Sequence, residues 1–221
     1  MNKPKMYAVA MEIAGPLAMW SRPDTGATPT SYPVPTWSAT KGIFESIAFF
    51  NNGKAWIRPT KVEICKRKDA IGGGLSFQKY TNNYHGPLKL KSKVNFQFSS
   101  LILADVCYRL YGEIENGSGT HLQHGDNPCH ALQAMFHRRL TKGQCHKTPT
   151  LGWNEFVPSY WGPIRDADNP MPFQTEVDKA INIDLVSMLR QVFDRAVAGS
   201  YQPSFVQAEN AIIKNGEFYY A

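Results

Sequence analysis

The apolar positions in the first third of the chain predict a strand, a helix and a second strand. Residues 6–14 alternate weakly and are rich in Val, Ile and Tyr, which predicts a strand that ends at Gly15-Pro16. A loop rich in Pro, Gly and Thr follows, and Thr36 has the side chain to cap a helix from Trp37 to Phe50. A turn then leads into a strand that we expect over 55–66, where Val and Ile positions support it.

A second strand and helix follow in the middle of the chain. Over 105–114 four apolar side chains fall on one face of a predicted strand: Val106, Tyr108, Leu110 and Ile114. Asn127-Pro128 predicts a helix start, because Asn caps helices and Pro fits the first helical position, and Gly143 ends this helix. Its apolar residues are expected in the core: Leu132, Met135, Phe136 and Leu140. A closing strand is expected over 151–157.

This order of elements predicts an α+β fold of ferredoxin or RRM type over residues 1–157. The remaining residues, 158–221, are expected to form a small C-terminal β-sheet extension. Within it, a helix or strand is predicted over 184–195. A hairpin is predicted over 205–220, with its turn at Asn215-Gly216, a pair typical of type I′ turns.

Charge changes the picture, because it is concentrated in one segment. The 221 residues carry a net charge of +6, and seven Lys or Arg with one Asp give 66–93 a local 7 − 1 = +6. Four rings lie between these cations: Phe77, Tyr80, Tyr84 and His85. Around the Gly72-Gly73-Gly74 break we therefore expect a basic β-hairpin, a thumb over about 67–98, that binds single-stranded nucleic acid. The plain alternative is a solvated charged face.

Cysteine and histidine spacing argues against disulfides and metals. The four cysteines, at 65, 107, 129 and 145, form no Cys-x-x-Cys pair, which suits a reducing compartment. Seven His and Cys cluster between 121 and 146, but only His121-x-x-His124 has the tight spacing of zinc ligands. No metal or other cofactor is expected. The chain start leads into a strand and no run of 18 apolar residues occurs, so we expect a soluble, cytoplasmic protein without a membrane partner.

The proline-led segment over 31–43 predicts a phosphate site at a helix start. Prolines at 29, 33 and 35 hold the chain extended up to Thr36. Ser38, Thr40 and Lys41 then fall in the first turns of the helix, where free N–H groups and the helix dipole attract anions. An ordinary capped helix is the alternative.

These motifs resemble the Cas-five family of CRISPR-associated proteins, and most closely its subtype I-C branch. The resemblance runs in order along most of the chain. The matching segments are Gly15-Pro16, Ser21-Arg22-Pro23, Ser31 to Thr36, Lys41 to Ile47, Phe136 to Arg139, Lys142 to Cys145, Leu151-Gly152 through Glu155-Phe156, and Pro203 to Phe205.

The resemblance implies an RNA-binding subunit of a Cascade-type effector. Such a subunit grips the 5′ handle of the CRISPR RNA (crRNA) and caps the backbone filament. Its implied partners are the crRNA, a Cas-seven-type backbone subunit, a large Cas-eight-type subunit, target DNA through the complex, and in some systems a separate Cas-six processing nuclease. The residues we predict to bind RNA are Arg22, Thr36, Ser38, Lys41, Lys66, Arg67, Lys68, Lys79, Arg138 and Arg139.

The subtype I-C branch also cleaves precursor crRNA without metal, and this chain departs from the residues of that site. In the branch that this chain resembles, the nuclease site has a Tyr just after the first helix and a Lys-His pair at the start of the second helix. Ala48 stands at the Tyr position and Cys129 at the Lys position, so that His130 alone matches as a catalytic residue. We therefore expect a binding subunit without nuclease activity. The alternatives are a metal-independent endoribonuclease, with a site rebuilt around His121, His124, Lys142 or His146, and an RRM-type RNA-binding protein outside CRISPR.

Overall fold

The computed structural model describes residues 6–51, 53–69, 75–85, 95–117, 127–170, 172–193, 199–206 and 209–220. Within these ranges the elements are β1 (Ala8–Ala18), α1 (Trp37–Ile47), β2 (Ala55–Arg67), β3 (Ser76–His85), β4 (Asn95–Asn116), α2 (Pro128–Thr141), β5 (Tyr160–Gly162), β6 (Thr175–Val177), β7 (Ile183–Asp184), β8 (Met188–Phe193), β9 (Tyr201–Val206), β10 (Ile212–Ile213) and β11 (Glu217–Tyr219).

One large sheet organises the chain. Its strands lie in the order β11-β2-β4-β1-β5, with β3 paired to β4 and β6 paired to β2. Neighbouring strands are antiparallel. The units β1-α1-β2 and β4-α2-β5 share this sheet, so the predicted α+β class is confirmed.

The two helices pack over one face of the sheet through apolar side chains. The Thr36 hydroxyl caps α1 by accepting from the Ala39 amide at 3.1 Å. Asn127 caps α2 in the same way, by accepting from the His130 amide at 3.0 Å. Both caps were predicted. The rings of Phe44 and Phe136 meet edge to face with centroids 5.8 Å apart, which joins the two helices.

The predicted core stripe of α2 is confirmed, and α1 is shorter than predicted. Leu132, Phe136 and Leu140 are buried, and Met135 packs against the core. Helix α1 ends at Ile47 rather than Phe50, because Ala48 adopts an extended backbone.

Strand β1 continues through Gly15-Pro16, where the sequence predicted its end. Gly15 pairs with Val106 and Leu17 with Ala104, while Pro16 and Asp105 between them leave the register. Asp105 has a φ of 51°, so the ladder bends here without stopping. The sequence predicted that the strand ends here because proline cannot donate a ladder hydrogen bond. The break in register at Pro16 and Asp105 accommodates the proline within the strand.

The predicted closing strand over 151–157 is wrong. The segment is a tight loop, in which the Leu151 amide donates to the Phe156 carbonyl at 2.8 Å and the Leu151 carbonyl accepts from Met19 at 2.9 Å. Gly152 has a φ of 97°, and a Cβ there would lie 1.8 Å from the Met19 carbonyl oxygen. A few residues later, β5 pairs with β1 on the side opposite β4.

The predicted thumb is a β3–β4 hairpin whose base belongs to the core. Strand β4 is 22 residues long and merges the predicted return strand with the strand over 105–114. The hairpin pairs from Ser76 with Ala104 to His85 with Asn95. At its base Ile102 and Leu103 are fully buried. Residues 70–74 and 86–94, with Gly72-Gly73-Gly74 and three of the predicted cations, lie outside the described residues.

The C-terminal part contributes to the main sheet as well as to small sheets. Strand β8 confirms a strand within 184–195 and pairs with β9; β7 pairs with β10. The turn at Asn215-Gly216 is present, with φ values of 51° and 76°. The predicted hairpin over 205–220 is wrong in its first strand, because residues 201–206 pair with β8 and β11 adds to the edge of β2.

Candidate nucleic-acid interface

Three predicted RNA-binding residues lie together where β2 ends. The Lys66 ammonium lies 3.5 Å from the buried Asp178 and 4.0 Å from Glu176. Lys68 donates to the side-chain oxygen of Gln174 at 3.4 Å. The segment around β6 thus pairs with both lysines, and Arg67 and Lys68 are exposed while Lys66 is half-buried.

Arg67 and Arg22 each pair with an acid two residues later. The Arg67 guanidinium donates to both Asp69 oxygens at 3.0 and 2.7 Å, and Arg22 donates to Asp24 at 3.1 and 2.8 Å. These hydrogen bonds lower the pKa values of Asp69 and Asp24 below their ordinary range. Because the pairs are exposed, they are weak, and a phosphate can replace either carboxylate at little expense.

The start of α1 is more closed than the phosphate-site prediction requires. Thr40 is fully buried and its hydroxyl shares a 2.7 Å hydrogen bond with the Tyr220 hydroxyl. Lys41 forms an ion pair with Glu45 one turn later. Ser38 and Lys41 line a cavity of about 250 Å³ against β8. Thr36 is buried, and its hydroxyl accepts the hydrogen bond that caps the helix. The prediction that Thr40 faces a phosphate is therefore wrong, and Ser38 is the hydroxyl left at the cavity.

Lys79 lies on the hairpin next to the loop that carries Arg22. Its backbone pairs with Leu101, and Leu101 also bridges to Thr30 of that loop. Of the predicted stacking rings, Phe77 is 41% exposed. Tyr80 is half-buried and packs edge to face on Phe156, with centroids 5.4 Å apart, and its stacking on bases stays a prediction. The side chains of Tyr84 and His85 lie outside the described residues.

The two α2 arginines have different surroundings. Arg139 donates from Nη1 to the Ile47 carbonyl at 2.7 Å, so it satisfies the C-terminal end of α1. Arg138 is exposed, and no acid pairs with it among the described residues. At a helix rise of about 1.5 Å per residue, the Ile47 carbonyl that Arg139 contacts lies roughly 9 Å along α1 from Lys41 and the predicted phosphate site. Arg139 is thus a structural residue in this arrangement, while Arg138 stays a predicted RNA contact.

The positions matched to the nuclease site are mostly closed. Ala48 is fully buried and its N–H donates to the Phe44 carbonyl at 3.0 Å. Cys129 is buried with its thiol 3.1 Å from the Asn116 side-chain oxygen, and burial raises the pKa of this thiol. A neutral thiol does not stabilise phosphate charge as an ammonium does. His130 is exposed, and its ring lies edge to face against Tyr7 at 6.2 Å.

A buried polar layer lies on the sheet face opposite the helices, and the sequence analysis missed it. Glu12 of β1 is fully buried and accepts from the Arg165 Nε at 2.6 Å and from the Thr175 hydroxyl at 2.7 Å. The Arg109 Nε lies 3.5 Å from the same carboxylate. A single acid inside an apolar strand was the available signal, because such a charge needs a buried partner.

The described part of the chain has neither a metal-binding cluster nor a membrane-spanning helix. No group of three or more His, Cys, Asp or Glu there has the geometry of a metal site. His121 and His124 lie outside the described residues. No helix in the described ranges is both long and apolar enough to cross a membrane.

The fold and this surface define an α+β protein with exposed cations around the base of a long hairpin. A family described as CRISPR-associated protein (Cas_Cas5) matches residues 8–218. A Thermus thermophilus protein named CRISPR pre-crRNA endoribonuclease Cas5d is 31% identical over 188 residues, 83% of this chain and 72% of that protein. A Mannheimia succiniciproducens protein of the same name is 28% identical over 225 residues, 94% of this chain and 92% of that protein.

Two solved structures share the fold. A crystal structure of a CRISPR-associated protein has a TM-score of 0.64 at 19% identity and covers 98% of this chain and 94% of its own. The functionally uncharacterized protein SMU1763c from Streptococcus mutans has the same TM-score at 18% identity, covering 97% and 92%. With the family match over nearly the whole chain, these comparisons establish that this protein belongs to the Cas5 family of CRISPR-associated proteins.

Proposed function

We propose that this protein is a Cascade-type effector subunit that binds the 5′ handle of the crRNA, caps the backbone filament and does not cleave RNA. The observation that carries the proposal is the position of Arg67, Lys68, Lys79 and the Arg22 loop around the base of the hairpin. Both arginines are held by exposed, exchangeable carboxylates. A phosphate backbone that reaches this surface gains charge-assisted hydrogen bonds in their place.

The finer architecture and the partners belong to the same proposal. The order β2-β4-β1-β5 with two crossing helices supports the ferredoxin or RRM-like assignment. The division into 1–157 and an extension over 158–221 stays a prediction; β5, β6 and β11 of the extension pair with strands of the main sheet. The crRNA, a Cas-seven-type backbone subunit, a Cas-eight-type large subunit and target DNA held by the complex are the proposed partners.

Handle binding is tested with fluorescence anisotropy on a labelled 5′-handle RNA at several salt concentrations. We expect the double variant Arg67→Glu, Lys68→Glu to bind more weakly and to flatten the plot of log K against log salt. Each lost phosphate contact on a single strand removes about 0.7 from the slope. The matched control is Lys147→Glu, an exposed lysine after α2. Unchanged affinity and slope in the double variant would refute the proposed surface.

Endoribonuclease activity is the second candidate function, favoured by the names of the relatives and by the exposed His130 beside Tyr7. We propose that the protein does not cleave RNA because Ala48, matched to the Tyr of the nuclease site, is buried, and Cys129, matched to the Lys, is a neutral thiol. The test incubates purified protein with its own repeat RNA in EDTA. We expect intact RNA; specific cleavage that His130→Ala abolishes would replace our proposal with this second function.

A further inference from the structure

A cavity of about 500 Å³ opens on the sheet face opposite the helices, where β1, β2 and β4 end their shared ladder. Its wall includes Lys66, Arg67, Asp105, Arg165 and Phe173. The charged lining residues comprise three cations and one acid, so the wall carries 3 − 1 = +2. The volume lies in the range of cavities that hold a nucleotide-sized ligand.

Phe173 lies between two guanidinium groups on this wall. The Arg67 guanidinium carbon lies 4.3 Å from the ring centroid and that of Arg165 lies 4.4 Å from it. Arg165 is 2% exposed and is fixed by Glu12, so its side of the ring is permanent. Arg67 is 52% exposed in its side chain, and within the described residues its guanidinium is held by Asp69 and by the ring. Solvent-exposed pairs of this kind are weak, so the Arg67 side of Phe173 is the displaceable one.

Asp105 supplies a hydrogen-bond acceptor on the same wall. Its φ of 51° is unusual for a residue other than glycine and sits where β4 leaves the register with β1. The carboxylate is exposed, and no hydrogen bond to it occurs within the described residues. A carboxylate accepts from the amino groups on the edges of guanine, cytosine and adenine but not of uracil.

We propose that this cavity binds one unpaired nucleotide of single-stranded RNA, with its base stacked on Phe173, its amino group donating to Asp105 and its phosphate on Arg67. On binding, the Arg67 guanidinium leaves the Asp69 carboxylate and binds the phosphate. It also leaves the Phe173 ring and contacts the edge of the base. Lys66 also lines the cavity, where its ammonium is paired with Asp178 at 3.5 Å. This inference rests on the proposed function and assigns to it the position where one base of the handle is read.

The experiment scans the 5′-handle RNA with a single abasic nucleotide, one position at a time, in the anisotropy assay. We expect one position where loss of the base weakens binding by wild-type protein roughly 5- to 150-fold, the range for one stacked base. Phe173→Ala should weaken binding to intact RNA by a similar factor and remove the sensitivity to that position. Phe173→Tyr, which keeps the ring, should restore most of the binding that Phe173→Ala loses.

Asp105→Asn separates base reading from stacking, because Asn tolerates the same backbone conformation. At the sensitive position we expect replacement of the base by uracil to weaken wild-type binding and to have a smaller effect on Asp105→Asn. Handle binding that is insensitive to every abasic position and to Phe173→Ala would overturn the inference and leave the proposed function standing. Failure of the intact handle to bind wild-type protein would overturn both.

Discussion

Replacement of Glu12 by Gln tests the buried charge layer beneath the proposed nucleotide cavity. The carboxylate is fully buried and receives hydrogen bonds from the Arg165 side chain, the Arg165 amide and Thr175 at 2.6, 3.1 and 2.7 Å. The variant keeps the shape of the side chain and removes its charge. Arg165 is itself 2% exposed, and Glu12 is the one acid that pairs with it within the described residues, so the variant leaves its charge unpaired.

The magnitude follows from this burial. Breaking a buried ion pair by removing one partner costs about 3–5 kcal/mol, because the remaining charge stays desolvated. For a chain of this length each kcal/mol shifts the midpoint of thermal unfolding by about 2–4 °C. We therefore expect Glu12→Gln to unfold roughly 6–20 °C below wild type. Thr175 remains to donate to the new amide oxygen, whereas Arg109 also loses the carboxylate charge that lies 3.5 Å from its Nε.

The assay is urea denaturation followed by far-UV circular dichroism, together with thermal unfolding. The control is the double variant Glu12→Gln, Arg165→Met, which removes both charges and fills the space with an apolar side chain. We expect the double variant to regain most of the lost stability, because replaced buried pairs are often neutral. A loss below about 1 kcal/mol in Glu12→Gln, or no recovery in the double variant, would show that this pair does not hold the layer together.

Two further predictions concern the backbone and the tyrosines. Gly152→Ala should destabilise the protein by about 3 kcal/mol or more, because a Cβ would lie 1.8 Å from the Met19 carbonyl oxygen. The control Gly143→Ala has a φ of 63° but open space around the new Cβ, so it should lose about 1–2 kcal/mol. Equal losses of the two variants in urea denaturation would contradict this reasoning. Burial raises the pKa values of Tyr108 and Tyr220 above the ordinary 10.0, so the stability that these two phenols contribute should be constant below about pH 10 and be lost above it, as the unfolded chain releases protons that the fold retains. Tyr220→Phe should reduce the slope of that fall; no fall between pH 10 and 11.5 would refute the reasoning.

Much of the local structure could be predicted from the sequence because its causes are local. The caps at Thr36 and Asn127 depend on side chains within three residues of the amides that they accept from. The stripe of Leu132, Phe136 and Leu140 follows from helical spacing alone. The errors occurred where a distant segment decides, as at Gly15-Pro16, where pairing with β4 carries the strand past a proline.

The candidate site divides in the same way. The family resemblance, the basic segment that ends β2 and the prediction that Ala48 and Cys129 replace the Tyr and Lys of the nuclease site came from the sequence alone. The sequence did not indicate that the Tyr80 ring would pack against the Phe156 ring. Both exposed arginines, Arg22 and Arg67, were found as cations, but their pairing with neighbouring acids became visible only in the structure.

What the sequence determined by itself is therefore the set of local elements and the types of charged and aromatic residue that the chain can offer to RNA. Only the tertiary structure decided which of them remain available. Phe173 and Arg165 lie about a hundred residues after Arg67 in the chain, yet they meet it over one ring. The physical reason is that sheet pairing between β2 and β6 brings these segments together, and burial of Glu12 then fixes Arg165 in place. Neither long-range pairing nor desolvation is encoded in the spacing of residues along the chain.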